Sequence, residues 1–334
     1  MDELILAVDG GQTSTKAIIS LRDGTILGAG RGTPCDHIHG PNGIARNRAA
    51  IHSAAHAALS AAGARTESII GVGLGLTSAP REGEATPLFR AIVQELCSPR
   101  AFWVDSDFVS NLAGASAGAD GIVVIAGGGS IGYGTDASGR EAISAGLGYL
   151  LGDEGSAWYI GLNALQAASQ AADRRGRETA LLPLVLDHYG LTTVRDIIRI
   201  IYDAGFTRDK VSVLAPEVVR LAREGDDVAA EIIRSGSEKL ATIALGVARQ
   251  LYQPGEPVTV YPTGGVFEAG DLVRTPFVDH LTSEWPTAIV SKPRFPPVVG
   301  VLIQVWKTLG DPITGERLGK IEETLPVLLP TRRS

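Results

Sequence analysis

Along the first thirty positions, apolar residues come in short runs broken by turn residues, at strand rather than helix spacing. Leu4–Val8 is continuously apolar, Asp9-Gly10-Gly11-Gln12-Thr13-Ser14 is a turn, Thr15–Leu21 alternates, Arg22-Asp23-Gly24 is a second turn, and Thr25–Arg31 is a third extended segment. Runs of this length bounded by glycine and aspartate predict three strands joined by two tight turns. Arg48–Ala62 is alanine-rich and predicts a helix ending near Gly63. Ile69–Leu76 reads as a strand, Pro87–Cys97 as a helix, Ala101–Val104 as a strand and Ser110–Ala117 as the start of a helix of small residues.

The same order then returns. Gly121–Ala126 is apolar and β-branched, Gly127-Gly128-Gly129-Ser130 is a turn, and Ile131–Gly134 pairs back. Asp136-Ala137-Ser138-Gly139 turns again into Arg140–Ala145. Gly11-Gln12-Thr13 falls on Gly128-Gly129-Ser130 at an offset of 117 residues, and Asp23-Gly24 on Ser138-Gly139 at 115. A third glycine turn, Thr263-Gly264-Gly265, follows the strand Val258–Tyr261. Two copies are too few for a solenoid. They predict two similar α/β domains facing each other across a cleft. The second half adds helices over Ala157–Ala172, Glu178–Tyr189, Thr193–Asp203, Ser212–Arg223 and Asp227–Leu251. An apolar helix over Val298–Leu309 follows, its glycine-bounded start (Val299-Gly300) predicting close packing. The expected division is residues 1–113 for the first domain, with the helix at about 298–310 packing back onto it, and 114–297 for the second. Residues 311–334, punctuated by prolines, form an expected loosely held tail.

Length changes the picture little: 334 residues suit two domains and bury enough surface to fold without metal or disulfide. Charge excludes more. The net charge is −7 and Lys/Arg runs never exceed two, which argues against a nucleic-acid binder and against anionic membranes. No apolar stretch approaches a membrane span, and the acidic start MDELILAVDGG is unlike a signal peptide, so a cytoplasmic protein is expected. Cys35 and Cys97 are too far apart for a CxxC pair, and reduced thiols are expected.

The 41 glycines fall in clusters after apolar runs. A glycine turn between strands exposes backbone N–H groups and forms a concavity suited to phosphate oxygens, although each turn alone reads equally as a tight hairpin. Asp9, at the end of a buried strand, needs a partner, and a hydrated Mg²⁺ beside phosphates is one. Thr13 and Ser130 offer hydroxyls. Gly127–Gly132 matches GxGxxG, but hairpin residues follow it where a dinucleotide site needs a helix, and no GxxxxGK[ST] is present. In Asp105-Ser106-Asp107, after a strand and before a helix, Asp107 is either a base for a substrate hydroxyl or a cap for a helix beginning near Val109. Gly152-Asp153-Glu154-Gly155 is an acidic turn that suits sugar hydroxyls or a helix cap, and Gly146-Leu147-Gly148 precedes it. Four of the six histidines lie in residues 37–56, including His37, His39, His52 and His56; a polar loop lining a cleft is expected there rather than a metal centre.

Asp9–Lys16, Gly127–Ser130 and Gly264-Gly265 resemble the two phosphate motifs and the adenosine motif of the actin, hexokinase and heat-shock-chaperone ATPase superfamily. Gly146–Gly161 (GLGYLLGDEGSAWYIG) is more specific. It resembles the signature of the N-acetylglucosamine kinase and BadF/BadG/BcrA/BcrD-type ATPase family, with further matches at Ala172-Asp173-Arg174, Leu214-Ala215-Pro216, Glu224-Gly225-Asp226 and Pro297–Gly300. The resemblance covers about residues 4–309. It implies two ribonuclease-H-like domains with mixed five-stranded sheets. It also implies an ATP-dependent, Mg²⁺-assisted kinase that phosphorylates the 6-hydroxyl of N-acetylglucosamine or glucosamine, working as a homodimer. Asp107 falls at the family's catalytic base. Asp9, Gly10, Gly11, Gln12, Thr13, Lys16, Gly127, Gly128, Gly129 and Ser130 fall around the phosphates, with Asp9 reaching Mg²⁺ through water. Gly264, Gly265 and Ala222 fall near the base. The sugar side comprises Asp36, His37, Asp107, Ser130, Ile131, Gly146, Leu147, Gly148, Asp153 and Glu154.

The departures lie mostly on the sugar side. Gly128 stands where the family has Thr, Ile131 where vertebrate-type kinases have Asn, Leu147 where Trp is usual, and Asp36 where an amide is usual, which favours a cationic sugar. No cysteine follows Cys97, which disfavours the [4Fe–4S]-bridged activator ATPases. The alternative function is an ATPase or regulatory ATP-binding protein without sugar transfer.

Overall fold

The computed structural model describes residues 3–11, 13–35, 38, 40, 42–77, 79, 86–203 and 205–328, with side chains to residue 325. The chain divides into two compact units, one of residues 1–120 and 293–334, the other of residues 121–292.

The first unit opens with β1 (Leu4–Gly10), β2 (Thr15–Leu21) and β3 (Ile26–Gly32), followed by α1 (Gly43–Ala62), β4 (Ile69–Leu76), α2 (Thr86–Gln94), β5 (Ala101–Ser106) and α3 (Asp107–Ala115). Its sheet runs β3-β2-β1-β4-β5, with β2 antiparallel to β1 and β3, and β4 and β5 parallel to β1. Alternation along β1 divides its side chains between two cores. Leu4, Leu6 and Val8 join α1 and α2 on one face. Ile5 and Ala7 join the C-terminal helices on the other. On β3, alternate glycines face the alanine stripe of α1: a Cβ at Gly28 would lie 2.5 Å from the Ala58 carbonyl, and one at Gly32 2.5 Å from that of Ala50. The helix therefore lies directly on the strand.

The second unit repeats the plan with β6 (Gly121–Ala126), β7 (Ser130–Thr135) and β8 (Glu141–Ala145). The helices α4 (Ala157–Ala172), α5 (Leu181–Tyr189), α6 (Ile198–Ile201), α7 (Asp209–Ser212), α8 (Ala215–Arg223) and α9 (Asp227–Leu251) follow, then β9 (Val258–Thr263), α10 (Asp271–Glu284) and β10 (Ala288–Val290). The sheet order β10-β9-β6-β7-β8 is that of the first sheet, element for element. Ile122, Val124 and Ala126 of β6 pack with the inner faces of α4, α8 and α9 in one core. The chain returns to the first unit with α11 (Pro297–Leu309) and α12 (Gly315–Leu328).

Several expectations need correction. Residues 315–328 are helical rather than loosely held: Leu318, Ile321 and Leu325 are buried at helical spacing, and Lys320 pairs with Asp23 at 2.5 Å. The helix expected from Glu178 starts at Leu181, because Asp226 takes the Ala180 amide and the Thr179 hydroxyl while capping α9. The stretch expected as one helix over Thr193–Asp203 is a 3₁₀ turn (Val194–Ile197) followed by the four-residue α6. That expected from Ser212 starts at Ala215. Unit boundaries fall at residues 120/121 and 292/293 rather than 113/114 and 297/298. Close packing at Gly300 holds: a Cβ there would collide with the Ser110 carbonyl of α3. Among the described residues no helix is long and apolar enough to cross a membrane.

Candidate active site

In the first unit, β1, β4 and β5 run parallel and bring Asp9, Gly75 and Asp105 into register across the sheet. Ligands bind at such carboxyl ends of parallel strands. Asp9 sits opposite Lys16 on β2. Although the residue keeps some accessible surface, dense packing around its carboxyl pushes its pKa up to about 7; Lys16 pulls it down and Asp107 pushes it further up. Each effect has the expected sign: desolvation and a like charge favour the protonated acid, and a cation opposes them. Asp107 opens α3 as its first helical residue. The residue at the cap position is Ser106, whose hydroxyl is spent on the Ala79 carbonyl (2.7 Å). Asp107 is thus in the first turn of α3 rather than at its cap position, and its carboxyl group lies within electrostatic reach of Asp9.

The turn after β1 is tied at its base. The Gly11 amide donates to the Ser14 carbonyl (3.2 Å), and the Cys35 amide donates to the Gly11 carbonyl (3.0 Å). Gly10 admits no side chain, since a Cβ would meet Cys35 Sγ and Leu76 Cδ2 at 2.5 Å. Thr13 is exposed. Gln12, Asp36, His37 and His39 lie outside the described residues. His52 bonds the Ile92 carbonyl at 3.0 Å and belongs to the α1–α2 contact.

In the second unit the turn Gly127–Gly129 is knitted to the loop before α4. The Ser130 amide donates to Asp153 Oδ1 (3.0 Å), the Ser130 hydroxyl to the Glu154 carbonyl (2.7 Å), and the Ala157 amide to the Gly127 carbonyl (2.9 Å). The hydroxyl proton expected to serve a phosphate is therefore committed to Glu154, and since the Gly127 amide donates to the Gly129 carbonyl (2.9 Å), the donors the turn can offer are the Gly128 and Gly129 amides. Asp153, 3% exposed and at φ 62°, presses its carboxylate so close that a Cβ on Gly129 would lie 2.5 Å from Oδ1. Its other oxygen accepts from Arg208 Nη1 (3.0 Å). Both carboxylate oxygens are thus engaged by protein groups, and Asp153 braces the turn.

Thr263, at the end of β9, pairs with Ile125 of the neighbouring β6, so the Gly264 turn emerges beside the Gly127 turn. Gly264 has φ 97°, and a Cβ there would collide with Ala126. Gly265 faces open space. Ala222 is 9% exposed and packs in the core beside α9. Gly146 (φ 75°) lies against Ile131. Leu147, Leu150 and Leu151 are 72%, 82% and 77% exposed. Arg208 is the residue sequence reasoning missed: in Thr207-Arg208-Asp209-Lys210 it has the look of one more solvated charge.

A model of the BadF/BadG/BcrA/BcrD ATPase family matches residues 6–302. The chain is 28% identical over 287 residues to the N-acetylmuramic acid/N-acetylglucosamine kinase of Clostridium acetobutylicum, covering 84% of this chain and 91% of that one. It is 24% identical over 311 residues to the N-acetyl-D-glucosamine kinase of Dictyostelium discoideum, covering 90% and 97%. A solved structure from Chromobacterium violaceum, described as a candidate N-acetylglucosamine kinase, superposes with a TM-score of 0.74 at 26% identity, covering 91% of this chain and 99% of that one.

Proposed function

The chain belongs to the BadF/BadG/BcrA/BcrD ATPase family, and from that premise we propose that it is an ATP-dependent kinase of amino sugars, transferring the γ-phosphoryl group to the 6-hydroxyl of N-acetylglucosamine or glucosamine. The sugar-kinase relatives support the substrate class. The observation that carries the chemistry is the pair of carboxyl groups of Asp9, near the end of β1, and Asp107, just after β5, which interact electrostatically, β4 lying between their strands.

Asp107 accepts the proton of the sugar hydroxyl as its oxygen attacks the γ-phosphorus; the bond to the bridging oxygen breaks and ADP leaves. Within the second unit the Gly128 and Gly129 amides suit phosphate oxygens and the neighbouring Gly264-Gly265 turn suits the adenosine end; within the first unit the glycine turn after β1 suits a phosphate oxygen. Asp9 fits a hydrated Mg²⁺: it is a hard oxygen donor whose ionised form is disfavoured by burial and by a second carboxyl, so a cation beside it is stabilising. Bound there, such an ion would neutralise phosphate charge. Lys16, opposite Asp9, holds that carboxyl toward its ionised form.

The test is ADP release by the purified protein with ATP, Mg²⁺ and a panel of sugars: N-acetylglucosamine, glucosamine, N-acetylmuramic acid and glucose. Release that depends on an amino sugar is expected. Release indifferent to every sugar replaces this reading with an ATPase or a regulatory switch.

A further inference from the structure

The Gly127-Gly128-Gly129-Ser130 turn contains no cationic side chain of its own. A polyphosphate held by backbone amides alone leaves several negative charges uncompensated. One guanidinium lies alongside the turn: a Cβ on the exposed Gly128 would sit 3.4 Å from Arg208 Nη2. That group is held in place. Nη1 donates to Asp153 Oδ2 at 3.0 Å, with the two side chains 21% and 4% exposed, and the other Asp153 oxygen accepts from the Ser130 amide. The backbone carrying Arg208 is anchored as well. The Val211 carbonyl rests on Gly161 of α4 where no Cβ fits, and the Tyr189 hydroxyl donates to the Lys210 carbonyl at 2.6 Å. A nearly buried carboxylate that only stapled the turn would be served as well by an amide, without the desolvation cost of an ion. A carboxylate paired with a guanidinium fixes a planar, permanently charged fork.

We infer that Arg208, held by Asp153 along the Gly127–Ser130 turn, is a phosphate-binding residue that receives terminal phosphate oxygens of a nucleoside polyphosphate. This rests on reading that turn as a phosphate site. Arg208 supplies the charge that a lysine supplies in other phosphate loops, and Asp153 is its positioning residue.

The test is a binding ladder of adenosine, ADP and ATP on the full chain, by calorimetry for the nucleotides and saturation-transfer NMR for adenosine. Arg208→Gln is expected to weaken ADP and ATP about tenfold or more, in line with loss of a hydrogen bond to a charged group. Adenosine affinity stays as in wild type, and Arg208→Lys falls between. The double variant Asp153→Asn/Arg208→Gln leaves no buried charge unpaired, so it carries the measurement if the single variant fails to fold. It is expected to keep the selective loss. Recovery of wild-type ADP affinity in the double variant would mean that Arg208 merely neutralises Asp153, and would overturn the inference. Equal weakening of adenosine and ADP, or no change in either, would overturn it too. Sugar-dependent ADP release by the wild type is read separately. Its absence defeats the kinase reading while the ladder still scores Arg208; its presence with a flat ladder defeats the assignment of Arg208 alone.

Discussion

In the first unit the turn after β1 carries its own acid, Asp9, desolvated, raised toward neutrality and opposed by Lys16 on the neighbouring strand. In the second unit the equivalent turn after β6 has no acid. It borrows Asp153 from the loop before α4, and that carboxylate is matched by an arginine and a backbone amide. The strand orders are the same, so topology does not account for the difference. A carboxyl left without full compensation gains from an added cation, whereas one already paired gains nothing and serves as a brace. On the proposed function, the first turn suits a metal-linked phosphate and the second the phosphate itself.

The largest effect is expected at Asp107, the second carboxyl of the first unit. Asp107→Asn is expected to lower kcat by about 10²–10⁴ while ATP affinity stays within a few-fold, read by ADP release and calorimetry. A pH series tests Asp9. Its folded pKa of about 7 lies above the ordinary value of 3.8, so between those pH values the folded protein holds a proton that the unfolded chain has released. Stability in the absence of nucleotide and metal therefore falls as pH rises through that window, by up to about 4 kcal/mol. Asp9→Asn should remove the slope, so urea melts of the two proteins should agree near pH 4 and diverge by pH 8, with the variant the more stable. Turnover of the wild type should rise with pH over the same range, and Mg²⁺ should shift the midpoint downward.

Smaller effects separate the glycines. Gly10→Ala drives a methyl into Cys35 and Leu76 and should cost about 1–3 kcal/mol of stability. Gly129→Ala pushes Asp153 off the Ser130 amide, at a cost of about 1–3 kcal/mol, and should also weaken ADP. Gly127→Ala is the control: nothing lies within 4 Å of the added atom, and a change within about 0.5 kcal/mol is expected. Thermal melts and ADP titrations of the three rank them.

The strands were legible because β-branched runs broken by glycine leave little else to form, and the repeat of strand, turn and strand announced the second unit. The helix α12 was obscured by Pro312 and Pro326, although Leu318, Ile321 and Leu325 already mark a helical stripe. α10 carries Pro276 in its interior and a weakly segregated surface, and β10 has three residues, too few for a pattern. The turns could be read residue by residue because glycine and aspartate are rare in strands. What holds the second turn could not. Ser130, Asp153 and Arg208 are separated by 23 and 55 residues, and an arginine in an irregular stretch has no local signature of a phosphate contact.

Phosphoryl transfer from ATP to an amino sugar is read most directly by phosphorus and proton NMR of N-acetylglucosamine or glucosamine incubated with the protein, ATP and Mg²⁺. A sugar phosphate with its phosphorus coupled to the two C6 protons, formed one for one with ADP, is the expected product. ADP accompanied by inorganic phosphate and unmodified sugar would contradict it.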